Sequence, residues 1–212
     1  NVNDLSDFVA NSITFDAAAG AFVLGGNDIT LGGNLGFSAN PAAPVTQTIN
    51  LGMTWSADKT IDTPTNGNLT LGGNITSGNN LFKIDAGTLT LGGTNTIESM
   101  DINGGTNIIT GSTTLNGNNV GYNRSYVGDG DAVNGCNGTL VIGNGATFTV
   151  TGNFGDTFVI GRDSGSGKLI QNGGAFIFNC TVNNSTDRML LGATGDPRTS
   201  SEYDMNGGLL DM

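Results

Sequence analysis

The chain has 212 residues; Gly, Asn and Thr together make up about 43% of it, 12% is charged, 4 residues are Pro and none is His. That composition is a poor helix former and excludes long amphipathic helices, while the 36% hydrophobic fraction is enough to fill a core if each apolar residue has a regular place in it. The net charge of −11 repels phosphate backbones and anionic lipid head groups, which excludes nucleic acid as a partner. No apolar stretch reaches the roughly 18 residues of a membrane-spanning helix, so no membrane insertion by this segment is expected. The start, Asn1-Val2-Asn3-Asp4, lacks the basic and apolar regions of a signal peptide, so any export signal is expected to have been removed or to lie outside this sequence.

In chain order the informative feature is an internal repeat. Ile29-Thr30-Leu31-Gly32-Gly33, Ile49-Asn50-Leu51-Gly52-Met53, Leu69-Thr70-Leu71-Gly72-Gly73 and Leu89-Thr90-Leu91-Gly92-Gly93 recur at a spacing of 20. Apolar, small polar, apolar is a period-2 strand, and the glycine after it turns a corner. The spacing predicts one inward column of Ile29, Ile49, Leu69 and Leu89, with Ile109 for a fifth turn although Gly111 stands where Leu is expected. It predicts a second column of Leu31, Leu51, Leu71 and Leu91, and a third of Leu35, Trp55, Ile75 and Leu115, broken by Asn95. Trp55 in such a column is core rather than a ligand stacker. The outward file reads Thr30, Asn50, Thr70, Thr90 and Thr110, side chains able to hydrogen-bond along the stack.

Aligned columns at a fixed period are what a coiling chain needs when each strand pairs in parallel with its copy one turn later. The predicted fold is therefore all-β, a single-stranded parallel β-helix (β-solenoid) with rungs of roughly 20 residues stacked about 4.8 Å apart, and some ten turns would make a rod near 50 Å long. Its competitor, a β-sandwich, needs longer strands and less regular spacing. Residues 1–120 read as 20-residue rungs, and residues 121–212 as a continuation of the same solenoid with longer, loop-bearing repeats. In the latter, Tyr126-Val127-Gly128-Asp129 returns as Val159-Ile160-Gly161-Arg162 and then Leu190-Leu191-Gly192. Similarly, Gly138-Thr139-Leu140 returns as Gly167-Lys168-Leu169, and Gly145-Ala146-Thr147-Phe148 as Gly174-Ala175-Phe176. These offsets of about 29 to 34 residues predict protruding loops at 129–137, 162–167 and 193–202.

At these residues the chain resembles the autotransporter-associated β-strand repeat family of large bacterial surface and secreted proteins. Ser12-Ile13-Thr14-Phe15-Asp16, Ala21-Phe22-Val23-Leu24-Gly25-Gly26-Asn27, Gln47-Thr48-Ile49-Asn50-Leu51 and the run from Gly87 to Thr96 follow its pattern. Gly161-Arg162-Asp163-Ser164-Gly165-Ser166-Gly167 with Asn172-Gly173-Gly174 resembles the longer repeats that accompany it. The resemblance implies a right-handed parallel β-helix in an exported passenger region, displayed on or shed from a Gram-negative-type envelope, with no catalytic residues and no cofactor.

The candidate sites are few. Asp129 and Asp131 are one strand-step apart and Arg124 and Arg162 occupy comparable positions, the residue types a polysaccharide-degrading β-helix uses. Asp129, Asp131 and Asn134 also outline a weak calcium loop, one residue out of step with the usual pattern and lacking the distal Glu. Solvated loop residues are the plainer reading of both. With no His and no Ser or Cys in an activating context, nucleophilic hydrolysis is weaker still. Flat threonine ladders can order water and bind ice, but only Thr88 and Thr90 form a pair at the 20-residue spacing, and the neighbouring column Asp28, Thr48, Asn68, Thr88, Ile108 is irregular. Cys136 and Cys180 suit either a disulfide or two thiols. The expected role is thus a stiff extracellular stalk, adhesin passenger or fibre component without catalysis, the alternative being a polysaccharide-binding or polysaccharide-degrading protein. Its expected partners are further rungs or copies meeting at open rung edges, together with glycans or a cell surface.

Overall fold

A computed structural model of the chain describes residues 1–117, 125–130, 136–151, 158–179, 189–192 and 199–212. Among the described residues every regular element is a β-strand, short in all but the last turns, and the strands wind as a coil with three faces. The first turn is β1 (Val2–Asn3), β2 (Phe8–Ala10) and β3 (Ile13–Phe15), and the second is β4 (Val23–Gly26), β5 (Ile29–Leu31) and β6 (Leu35–Phe37). The third turn is β7 (Val45–Ile49), β8 (Met53–Trp55) and β9 (Lys59–Asp62), and the fourth is β10 (Gly67–Leu71), β11 (Ile75–Ser77) and β12 (Leu81–Ile84). The fifth comprises β13 (Thr88–Leu91), β14 (Thr94–Ile97) and β15 (Met100–Ile102), the sixth β16 (Gly105–Ile109), β17 (Ser112–Leu115) and β18 (Ser125–Asp129). The seventh holds β19 (Asn137–Ile142), β20 (Thr147–Thr151) and β21 (Phe158–Arg162). In the eighth, β22 (Ser166–Asn179) runs through two faces before β23 (Met189–Leu191), and β24 (Ser200–Asp211) opens a ninth.

Every ladder is parallel, and each strand pairs with the strand on its own face one turn later. The fold is a β-solenoid. Inward residues alternate with outward ones along each strand, so that Leu69–Leu89 and Leu71–Leu91–Ile109–Ile142 stack as buried columns on the first face. Each fully buried aliphatic side chain contributes about 1.5–3 kcal/mol. Towards the far end the core turns aromatic: Phe148, Phe158 and Phe176 meet from two faces with every pair of ring centroids 5.6 Å apart.

The register departs from the 20-residue columns. Leu31 lies beside Trp55 on the second face, Leu51 sits in the corner after β7, and only Leu71 and Leu91 are neighbours, on the first face. Ile29 pairs with Met53 and Met53 with Ile75, whereas Ile49 pairs with Leu71 on another face and Ile109 continues the column of Leu91. The third column splits, because Leu35 is on the third face while the others are on the second, where Trp55 and Leu115 share one position and Ile75, beside Asn95, takes another. The tube survives because pairing conserves the in–out alternation, not a fixed length. Corners absorb two residues here and lose two there, so successive partners on the second face, Ile29, Met53, Ile75, Asn95 and Thr113, draw steadily closer in sequence. The outward file is corrected with them: Thr30 continues through Thr54, Thr76, Thr96 and Thr114 to Thr149 on the second face, while Thr48, Thr70 and Thr90 stack on the first. In the second half the alignments hold, with Tyr126 beside Val159, Val159 beside Leu190, Leu140 beside Leu169 and Phe148 beside Phe176.

Corners are built by two devices. An Asn or Asp side chain accepts the backbone N–H of the next turn, as in Asn74 Oδ1 from Thr94 at 2.9 Å, Asn34 Oδ1 from Thr60 at 3.1 Å and Asp58 Oδ1 from Asn80 at 2.8 Å. Glycine is required where the chain turns left-handed against a neighbouring backbone. At Gly128 (φ 77°) and Gly161 (φ 72°), which end the same stretch in successive turns, a Cβ would collide with the carbonyls of Ser166 and Ser200. The expected loop at 162–167 is a tight turn instead, closed by the Gly165 N–H donating to Arg162 O at 2.8 Å. Parts of the loops predicted at 129–137 and 193–202 lie outside the described residues.

Candidate functional site

Charge is segregated on this rod. From β1 to β20 no strand of the first or second face contains a charged residue, whereas on the third face β9, β12, β15, β18 and β21 each contain one or more. Any acid–base chemistry on the strands of these turns therefore belongs to the third face.

Two charged groups form there. The first is Asp101, Tyr126, Asp129, Arg162 and Asp163. Strand register brings Asp101 beside Tyr126 and Asp129 beside Arg162. Arg162 Nη1 lies 3.4 Å from Asp129 Oδ2 and its Nε 3.2 Å from Asp163 Oδ2, while the guanidinium covers the Tyr126 ring at 4.8 Å. Burial, reinforced by the charge of Asp129, pushes the Asp101 carboxyl up to about 7, and the Tyr126 N–H and Arg162 offset only part of that. Of the residues singled out in the sequence, Asp129 and Arg162 are thus brought together, while Arg124, Asp131 and Asn134 lie outside the described residues. A guanidinium on Asp129 fits an ion pair better than a calcium ligand, and among the described residues no three His, Cys, Asp or Glu side chains are grouped to hold a metal ion. The half-buried Cys136 packs at the start of β19, where its carbonyl accepts the Ser166 N–H at 2.8 Å; Cys180 lies outside the described residues.

The second group escaped the sequence reading. Lys59 and Lys83 point into the tube and are fully buried. Lys59 Nζ donates to Ala57 O at 2.6 Å and Gly32 O at 3.0 Å, and Lys83 Nζ to Asp85 O at 2.6 Å and Ile84 O at 3.0 Å. Corner carbonyls stand in for water around each ammonium, and burial still draws both pKa values down, Lys83 to about 8 despite Asp85 and Asp62. Asp62 is raised by its own burial and by Asp85. A signal was present in the sequence: Lys59 shares its side of the strand with Ile61, and Lys83 with Leu81.

The third feature is the open first turn. An apolar cleft of about 680 Å³ is lined by Val2, Phe8, Val9, Leu24, Ile29 and Leu51, and Val2 is 78% and Val9 60% exposed. At the opposite end Leu209 is 55% exposed. Trp55, by contrast, is buried in the core. Comparison of the chain with protein-family models, with curated proteins and with solved structures finds no match.

Proposed function

We propose that this segment is a stiff, acidic spacer in an exported bacterial surface or secreted protein, a stalk, passenger or fibre unit without catalysis. The observation that carries this reading is the unbroken run of parallel ladders and buried columns through eight turns, roughly 40 Å at about 4.8 Å per turn. Such a rod resists bending because every turn is held on three faces at once. The resemblance to autotransporter-associated repeats, on the residues quoted above, supports an extracellular location on a Gram-negative-type envelope. The exposed apolar edges at both ends support lengthening by addition of further rungs or copies, since an open rung offers unpaired N–H and C=O groups. Sedimentation of the chain over a wide concentration range tests this, with mass-dependent association expected that Val9→Lys weakens. A strictly monomeric species at high concentration removes the lengthening role.

A polysaccharide-directed function is the second reading, favoured by one observation, two carboxylates, Asp101 and Asp129, on adjacent strands of the third face, with burial and then the charge of Asp129 pushing Asp101 up to about 7. Incubation with neutral and acidic polysaccharides, read by release of reducing ends, separates the two. The spacer reading expects no release; release abolished by Asp101→Asn replaces it with an enzyme.

A further inference from the structure

We propose that the second face of the rod, with the adjoining first face, is a surface for ordered water, and that the protein binds ice through it. Six threonines, Thr30, Thr54, Thr76, Thr96, Thr114 and Thr149, stand in one file over six successive turns. Their separations in sequence differ at every step, so no repeat length places them there; each turn puts a threonine at that spot independently. Beside the last three of them run Thr94, Ser112 and Thr147, giving a lattice two hydroxyls wide. Its repeat is about 4.8 Å along the rod and about 6.6 Å across it, two strand residues.

Three further observations narrow the ligand. The strands of both faces are uncharged from the first turn to β20 in a chain of net charge −11, so the surface fits a neutral partner. Among the described residues none of the six hydroxyls has a partner within the chain, whereas threonines elsewhere do, Thr110 Oγ1 donating to Leu91 O at 3.3 Å and Thr113 Oγ1 accepting from Asn95 Nδ2 at 3.2 Å. Along the strands that carry the file, β5 to β20, the aromatic residues of these faces, Trp55 and Phe148, are buried, and the exposed ring of Phe8 lies beyond the file in the open first turn, so the file itself has no ring for a sugar to stack on. A neutral lattice of hydroxyls without stacking platforms, held rigid by parallel ladders, fits the oxygen lattice of ice better than a glycan chain. The methyl groups beside the hydroxyls shape the surface between them, and first-face Thr48, Thr70 and Thr90 extend it round the corner.

The test is ice growth with the whole chain, read as thermal hysteresis and as inhibition of ice recrystallisation. The chain is expected to show both, and Thr76→Lys with Thr96→Lys to need at least about tenfold more protein for the same inhibition. Thr60→Lys, on the third face, is expected to change neither. If the lysine pair fails to fold by circular dichroism, Thr76→Ser with Thr96→Ser removes only methyl groups and is expected to weaken inhibition in the same direction. Absence of both activities in the parent chain overturns the proposal, as does equal loss from Thr60→Lys. Adsorption to crystalline cellulose or chitin without any effect on ice overturns it in favour of a glycan.

Discussion

Asp101 and Tyr126 are ladder partners on the third face, and the Tyr126 N–H donates to Asp101 Oδ1 at 3.2 Å. One hydrogen bond does not replace the water the carboxylate has lost, which is why Asp101 holds its proton to about 7 instead of the ordinary 3.8.

The folded state therefore binds one more proton than the unfolded chain between roughly pH 4 and 7, and stability falls as pH rises through that window. Asp62, raised by burial and by Asp85, acts in the same direction. Asp101→Asn keeps an acceptor for Tyr126 and is expected to flatten the slope and to raise stability at pH 8 by about 1–3 kcal/mol. Urea titrations at a series of pH values check this, and an unchanged slope in the variant refutes the assignment.

Lys83 has the opposite sign. Its folded pKa of about 8 lies below the ordinary 10.5, so the native state sheds its proton first and stability rises between roughly pH 8 and 10.5. Together with Asp101 this gives a stability minimum near pH 7 to 8. Lys83→Met is expected to reduce the alkaline rise, leaving the part that Lys59, also drawn down by burial, supplies, and thermal melts at pH 8 and 10 of both proteins measure it.

Gly128→Ala is expected to destabilise by about 2–3 kcal/mol, since alanine must adopt positive φ and its Cβ meets the Ser166 carbonyl. Gly78→Ala, with open space around the added carbon, is expected to stay within about 0.5 kcal/mol of the parent. Equal effects in denaturant titrations contradict the left-handed corner.

Phe148→Ala opens a cavity between Phe158 and Phe176 and is expected to cost about 3–5 kcal/mol. Hydrogen exchange adds location: protection is expected to fall first in β20 and the second half of β22, with β10 and β13 unaffected.

The coil itself was legible in the residues. Gly and Asn punctuation, three-residue apolar–polar–apolar strands and the near-regular spacing specify parallel rungs, and the second-half alignments hold because the corner glycines, Gly128 and Gly161, mark equivalent points. Register was not legible in the first half, where Leu31-Gly32-Gly33 and Leu71-Gly72-Gly73 look alike yet follow strands of different faces.

Sequence alone determined the alternation that separates inside from outside, because it is a local property of extended backbone. Which face a strand occupies depends on how many residues each corner takes up, and that is fixed only when the ladder hydrogen bonds of all three faces close together. The same closure decided that Lys59 and Lys83 turn inward, where corner carbonyls replace their water, and it gathered threonines from unequal repeats into one file.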